Sequence, residues 1–204
     1  MTTITKVEMK NLLKRRSELL HAHSQLENNM QDNETVNGLY KNGISGISDI
    51  IYTIDKQLLE YAKSSPVGEW LLQIKGITPH LAAAVLVYFD IENKECAAQF
   101  ISYAGLDNKN KPHSDIGCIV NTIKNNFKSQ SDGLYKKIYK EKYLELMQDD
   151  IETITAKIRA GRFAMKVFIG HVFEEMYREA HDGKLPNRYD TDSIIIEPEI
   201  PYTK

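Results

Sequence analysis

The stretch Trp70-Leu-Leu-Gln-Ile-Lys-Gly-Ile-Thr-Pro-His-Leu-Ala-Ala-Ala-Val-Leu86 decides how this chain folds. It predicts a short helix, a tight turn at Gly76, and a second helix opening at Thr78-Pro79. Glycine enters the left-handed backbone region that a side chain penalises. Threonine is a favourable N-cap, and proline suits the first helical turn, where an N–H would lack a partner anyway. Ala82, Ala83 and Ala84 allow another helix to approach closely. A helix N-terminus leaving such a turn presents unpaired N–H groups, which attract anions. The same residues also suit an ordinary connection between two helices.

Helical patterns continue on both sides. Residues 6–29 carry Met9, Leu12, Leu13, Leu19, Leu20 and Leu26 at three- and four-residue steps. Asp32-Asn33-Glu34 and Asn37-Gly38 then break the pattern. A second helix is expected from about Ser45 to Ala62, with Ile47, Ile50, Ile51, Ile54, Leu58 and Leu59 on one stripe. The two would pair antiparallel, with a loop around residues 33–42 at the tip. After the hairpin, helices are expected at 94–104 (closed by Gly105), 116–127, 134–147 and 151–181. Asp149-Asp150 reads as the start of the last of these. The tail from Asn187 contains Pro198 and Pro201 and reads as extended, with Ile194-Ile195-Ile196 its one strand-like run. The fold class is therefore all-α. The segments are 1–65, a helical pair that could serve as a dimerisation arm; 66–186, the hairpin-containing domain; and 187–204, an acidic tail.

Composition narrows the function. The 204 residues carry a net charge of −2 and ordinary hydrophobic content. No apolar run reaches the ~20 residues needed to span a bilayer, and Met1-Thr-Thr-Ile-Thr-Lys is not a signal peptide. The expected location is cytoplasmic. Cys96 and Cys118 form no metal-ligand spacing and read as small core residues. Positive charge is concentrated locally. Lys109, Lys111, Lys124, Lys128, Lys136, Lys137, Lys140 and Lys142 face only Asp115, Asp132 and Glu141 over the same span. Such a basic segment suits an anion-binding face, or a solvated helix surface.

Several chemistries leave no mark. There is no phosphate-binding or dinucleotide loop and no H-E-x-x-H motif. His21 and His23 lie two apart on a helix and do not share a face. His113-Ser114-Asp115 offers triad residue types, but three consecutive loop residues do not give triad geometry. No cofactor and no metal are expected.

The residues 74–86, Ile-Lys-Gly-Ile-Thr-Pro-His-Leu-Ala-Ala-Ala-Val-Leu, resemble a helix-hairpin-helix module. With Phe100-Ile-Ser-Tyr-Ala-Gly-Leu106 after the acidic Asp90-Ile-Glu92 connector, they resemble the C-terminal domain of insertion-sequence 110/116/902-type transposases. Tyr135-Lys-Lys-Ile-Tyr-Lys-Glu-Lys-Tyr143 is similar to that family's basic tyrosine-containing helix. Ala160-Gly-Arg-Phe-Ala-Met-Lys-Val-Phe-Ile-Gly170 is similar to its closing helix. The leading helices, with Arg15-Arg16, resemble the coiled coil that joins the family's two domains. The family's N-terminal nuclease-like domain has no counterpart here. Its nucleophilic serine lies in the loop after the Gly-Leu phrase, where this chain has Ser114 without the expected Ser-Gly-rich setting.

The resemblance implies a nucleic-acid backbone-binding protein without autonomous catalysis. Backbone N–H groups around Ile77–Leu81 would hold a phosphate, flanked by Lys75, Gly76, Thr78 and His80. Lys109, Lys111, Lys124, Lys128, Lys136, Lys137 and Lys140 would extend the contact. The expected ligand is DNA, duplex or branched, by fold analogy, with RNA as the alternative. A membrane is not expected, and the leading helices offer a homodimer seam. Two further readings stay open. One is a recombinase subunit in which Ser114 attacks DNA with a nuclease domain supplied in trans. The other is a helical adaptor that binds protein only.

Overall fold

The computed structural model of the chain describes residues 5–29, 34–92, 94–107, 114–149 and 151–184, the side chains of residues 34–36 and 114 apart. Helices account for all regular structure among them: α1 (Lys6–Asn28), α2 (Glu34–Lys63), α3 (Pro66–Gln73), α4 (Pro79–Tyr88), α5 (Ala97–Tyr103), α6 (Ser114–Ser129), α7 (Leu134–Gln148) and α8 (Thr153–Ala180). The all-α expectation holds. The tail 187–204 lies outside the described residues.

Local chemistry starts the helices where the sequence suggests. Thr5 caps α1: its hydroxyl accepts the Glu8 N–H at 3.3 Å, while the Glu8 carboxylate accepts the Thr5 N–H at 2.7 Å. Ser65 caps α3 by accepting the Gly68 N–H at 3.1 Å, with Pro66 in the first turn. Gly105 ends the α5 segment at φ +69°.

α1 and α2 run antiparallel. Arg16 meets Asp55 through two hydrogen bonds of 2.5 and 3.1 Å, and Gly43 lies 3.3 Å (from an ideal Cβ) from Leu26 Cδ1. α2 starts at Glu34 rather than Ser45, so the expected tip loop through Asn37, Gly38 and Asn42 is helix from Glu34 onward. The glycines in this stretch cost helix propensity, but Gly43 gives α1 room for close approach. Ser48 and Thr53 bond back to the carbonyls of Ile44 and Asp49, as residues inside a helix do.

α4 joins two cores. Leu81, Ala82 and Val85 enter the main core with Trp70, Phe100, Phe127 and Phe168. Ala83 and Val87, on the other side, pack with Met9, Ile54 and Leu58 of the arm. The three consecutive alanines are all buried and admit neighbours on two sides. α8 is buried along most of its length and packs on α3, α5, α6 and α7.

Three smaller expectations change. α5 begins at Ala97, since Lys94 and Glu95 precede the helix. Asp149 caps the C-terminus of α7, and α8 opens only at Thr153. Neither cysteine is a core residue: Cys96 is half-buried at the start of α5 and Cys118 is exposed on the outer side of α6. The apolar positions of α6, Ile116, Val120, Ile123 and Phe127, already fill its inward stripe.

Candidate nucleic-acid interface

The hairpin has the backbone its sequence demands. Gly76 sits at φ +94°, where a side chain is strained. Its carbonyl accepts the Asn126 amide of α6 at 2.9 Å, and an added Cβ would lie 3.2 Å from Phe127. The turn is thus packed against the end of α6. A second positive-φ glycine, Gly133 (φ +107°), starts α7 against Lys75. Lys75 reaches Asp132 at 2.7 Å, tying the two turns together.

The helix N-terminus beyond the turn is largely satisfied from within. The Leu81 and Ala82 N–H groups both donate to the Thr78 carbonyl at 2.9 Å, and the Ile77 N–H donates to Ile74. Thr78 occupies the N-cap position, but its hydroxyl pairs with His80 Nδ1 at 2.9 Å and makes no capping bond. Burial pushes the His80 pKa down to about 4, and the Arg16 charge acts in the same direction against Asp55. His80 is therefore neutral at pH 7. Of the expected phosphate seat around Ile77–Leu81, the turn is present, while Lys75 is paired, His80 is neutral and the Ile77 and Leu81 N–H groups have partners.

Positive charge gathers on the other side of α6. Lys124 and Lys128 lie two residues from Asn126 and Gln130, which line Gly76. Two residues turn a helix by about 200°, so the lysines face away from the hairpin. They converge on α8 at Gly161. From the point where a Gly161 Cβ would stand, Lys128 Cε is 2.8 Å away and Lys124 Cδ 3.3 Å. α8 adds Lys157 and Arg162, and Arg162 also donates to the Gly105 carbonyl at 3.4 Å. From α7, the Lys136 ammonium donates to the Lys128 carbonyl. Lys128 and Lys136 each stand over the Tyr139 ring, 5.6 and 5.7 Å from its centre.

These cations act on one another. Burial, then the charges of Lys128 and Arg162, hold the Lys124 ammonium below the ordinary lysine range. Burial and Lys157 do the same to Lys128. Among the described residues, no ion pair involves Lys124, Lys128, Lys136, Lys157 or Arg162.

The sequence-predicted residues thus separate. Lys124, Lys128 and Lys136 are brought together, Lys75 and His80 belong to the hairpin, and Lys137 and Lys140 are exposed on α7. Lys109 and Lys111 lie outside the described residues. Ser114 is the first residue of α6, and its side chain also lies outside them. Sequence reasoning missed Lys157, Gly161 and Arg162. A glycine flanked by cations inside a long helix was the available signal. No His, Cys, Asp or Glu cluster able to hold a metal occurs among the described residues, and none of their helices is long and apolar enough to cross a membrane. Comparison of the chain with protein-family models and with curated proteins finds no match.

Proposed function

We propose that this chain binds the phosphate backbone of a nucleic acid, DNA by preference, through the α6–α7–α8 cation cluster. The observation that carries the reading is the convergence of Lys124, Lys128, Lys136, Lys157 and Arg162 with no paired carboxylate among the described residues. Cations held close together repel, and an anion between them relieves the repulsion. Phosphate contacts of this kind position a strand but carry little sequence information. The resemblance to transposase C-terminal domains supports the same class of ligand, and we place the chain beside them as a binding protein without catalysis of its own.

The test is a salt series with pure protein and labelled duplex, four-way-junction and single-stranded DNA, read by anisotropy. Affinity is expected to fall steeply with salt, with a log–log slope of roughly −0.7 to −0.9 per phosphate engaged. Binding should also take up protons at alkaline pH. The free lysines have lowered pKa values, and a bound phosphate raises them again. Calorimetry in two buffers of different ionisation enthalpy measures that uptake. Absence of binding to every form at ~50 mM salt, where such contacts are strong, would refute the reading. It would favour the adaptor, for which exposed Leu144, Met147, Ile154 and Ile158 near the α7–α8 connection offer an apolar surface.

A further inference from the structure

The acidic tail has no part in the proposed function. Residues 189–203 hold four carboxylates, Asp190, Asp192, Glu197 and Glu199, and no lysine or arginine. They lie outside the described residues, which end at Lys184. Lys184 follows closely on Ala180, the last residue of α8, and α8 is also the helix that carries Lys157, Gly161 and Arg162 of the cation cluster. The cluster lacks the chemistry that the tail holds. Lys124 and Lys128 close over Gly161, beside Lys157 and Arg162, and among the described residues no carboxylate pairs with any of them. Next to these cations, the half-buried rings of Tyr139 and Tyr143 stack along α7.

We infer that the tail segment around Glu197 and Glu199 docks on the cation cluster of its own chain and competes there with the nucleic-acid strand. The inference rests on the proposed backbone binding and adds a regulation of that same site. Charge, reach and tethering each support it. Carboxylates set among unpaired ammonium groups relieve the same repulsion that phosphates would. Gly161 stands about 28 Å along α8 from Ala180, at 1.5 Å per residue. Glu197 comes thirteen residues after Lys184, and an extended chain of that length spans at most about 43–47 Å. Glu197 and Glu199 therefore reach the cluster. Asp190, only six residues after Lys184, spans about 20–22 Å and falls short. Ile194-Ile195-Ile196, directly before Glu197, brings an apolar block to the Tyr139–Tyr143 face. A tethered segment meets its seat at an effective concentration of about 1 mM. A tail that binds at about 0.1 mM when free would then hold the cluster roughly nine-tenths of the time and weaken strand binding about tenfold.

The test uses the full chain and two tail variants, with labelled DNA strands read by anisotropy. Glu197→Gln with Glu199→Gln should raise affinity about tenfold at ~50 mM salt, and the gain should fade as salt screens the tail contact. Asp190→Asn with Asp192→Asn removes as much charge but sits at or short of the limit of reach, and should gain less than about threefold. Contact is read directly by a carbodiimide, which joins a carboxylate to an amine only where the two touch. Mass spectrometry of the cross-linked monomer should find Glu197 or Glu199 joined to Lys124, Lys128 or Lys157, and excess strand should suppress that product. Equal gains from the two variants would mean general charge repulsion and would overturn the docking. A missing cross-link, with strand binding intact, would overturn it too and leave backbone binding standing. A cross-link found only between two copies would overturn the chain's own tail as the occupant. Failure of both the wild type and the Glu197→Gln, Glu199→Gln variant to bind any strand would overturn backbone binding itself.

Discussion

On one side of α6 the charges of the hairpin region are answered from within the chain. Lys75 meets Asp132, Arg16 meets Asp55, and His80 is neutral at pH 7. On the other side, Lys124, Lys128, Lys157 and Arg162 meet one another and, among the described residues, no carboxylate. Both places contain cations. The difference teaches that local charge density does not locate a binding face, because tertiary packing decides which charges are neutralised. A hairpin can have the backbone of an anion seat and still spend its donors on its own carbonyls, as Leu81 and Ala82 do on Thr78.

The strongest attempt to break this comparison reverses charge on the unpaired side. Lys124→Glu with Lys128→Glu should weaken strand binding by at least about a hundredfold at low salt and flatten the salt slope by about two. An unchanged slope, measured by anisotropy, would mean that the cluster touches no phosphate.

The hairpin side should matter for stability instead. His80 has a folded pKa of about 4 against an ordinary 6.5. A lowered folded pKa means that the unfolded chain takes up the proton first. Stability is then full above about pH 6.5 and is lost as pH falls towards 4, by on the order of 1–3 kcal/mol. Urea midpoints of the wild type and His80→Gln across that range check this, and the variant should lose most of the slope.

A smaller effect sharpens the contrast between two glycines. Gly161→Ala forces the flexible end of Lys128 aside without straining the backbone. It should lower affinity by roughly threefold to tenfold, about one displaced phosphate contact, with little change in melting temperature. Gly76→Ala should do the reverse. Its positive φ and the nearby Phe127 ring make it lose about 1–2 kcal/mol of stability, while the folded protein binds as before. The smallest effect is expected at Lys75→Ala. Its partner Asp132 is exposed and the pair is worth little, so both affinity and melting temperature should stay near wild type.

Much of the fold was legible because its punctuation is local. Gly76, Thr78-Pro79 and Gly105 mark helix ends by their own backbone chemistry. The start of α2 was not legible. Asn37-Gly38 reads as a breaker, and only Leu26, facing Gly43, shows why a glycine suits that helix. The site was half legible for the same reason. Lys124, Lys128 and Lys136 stand close in sequence, whereas Lys157 and Arg162 reach the cluster only because α8 folds back across α6.

α4 also governs how the chain can be shortened. Its alanines form a party wall, with the arm on one side and the main body on the other. Neither room can be demolished alone. A fragment beginning at Pro66 would keep every residue of the cation cluster, yet it would bare Ala83 and Val87 to water. Shortening this chain to its binding face therefore calls for redesigning that wall, with polar residues at Ala83 and Val87, before the arm is removed.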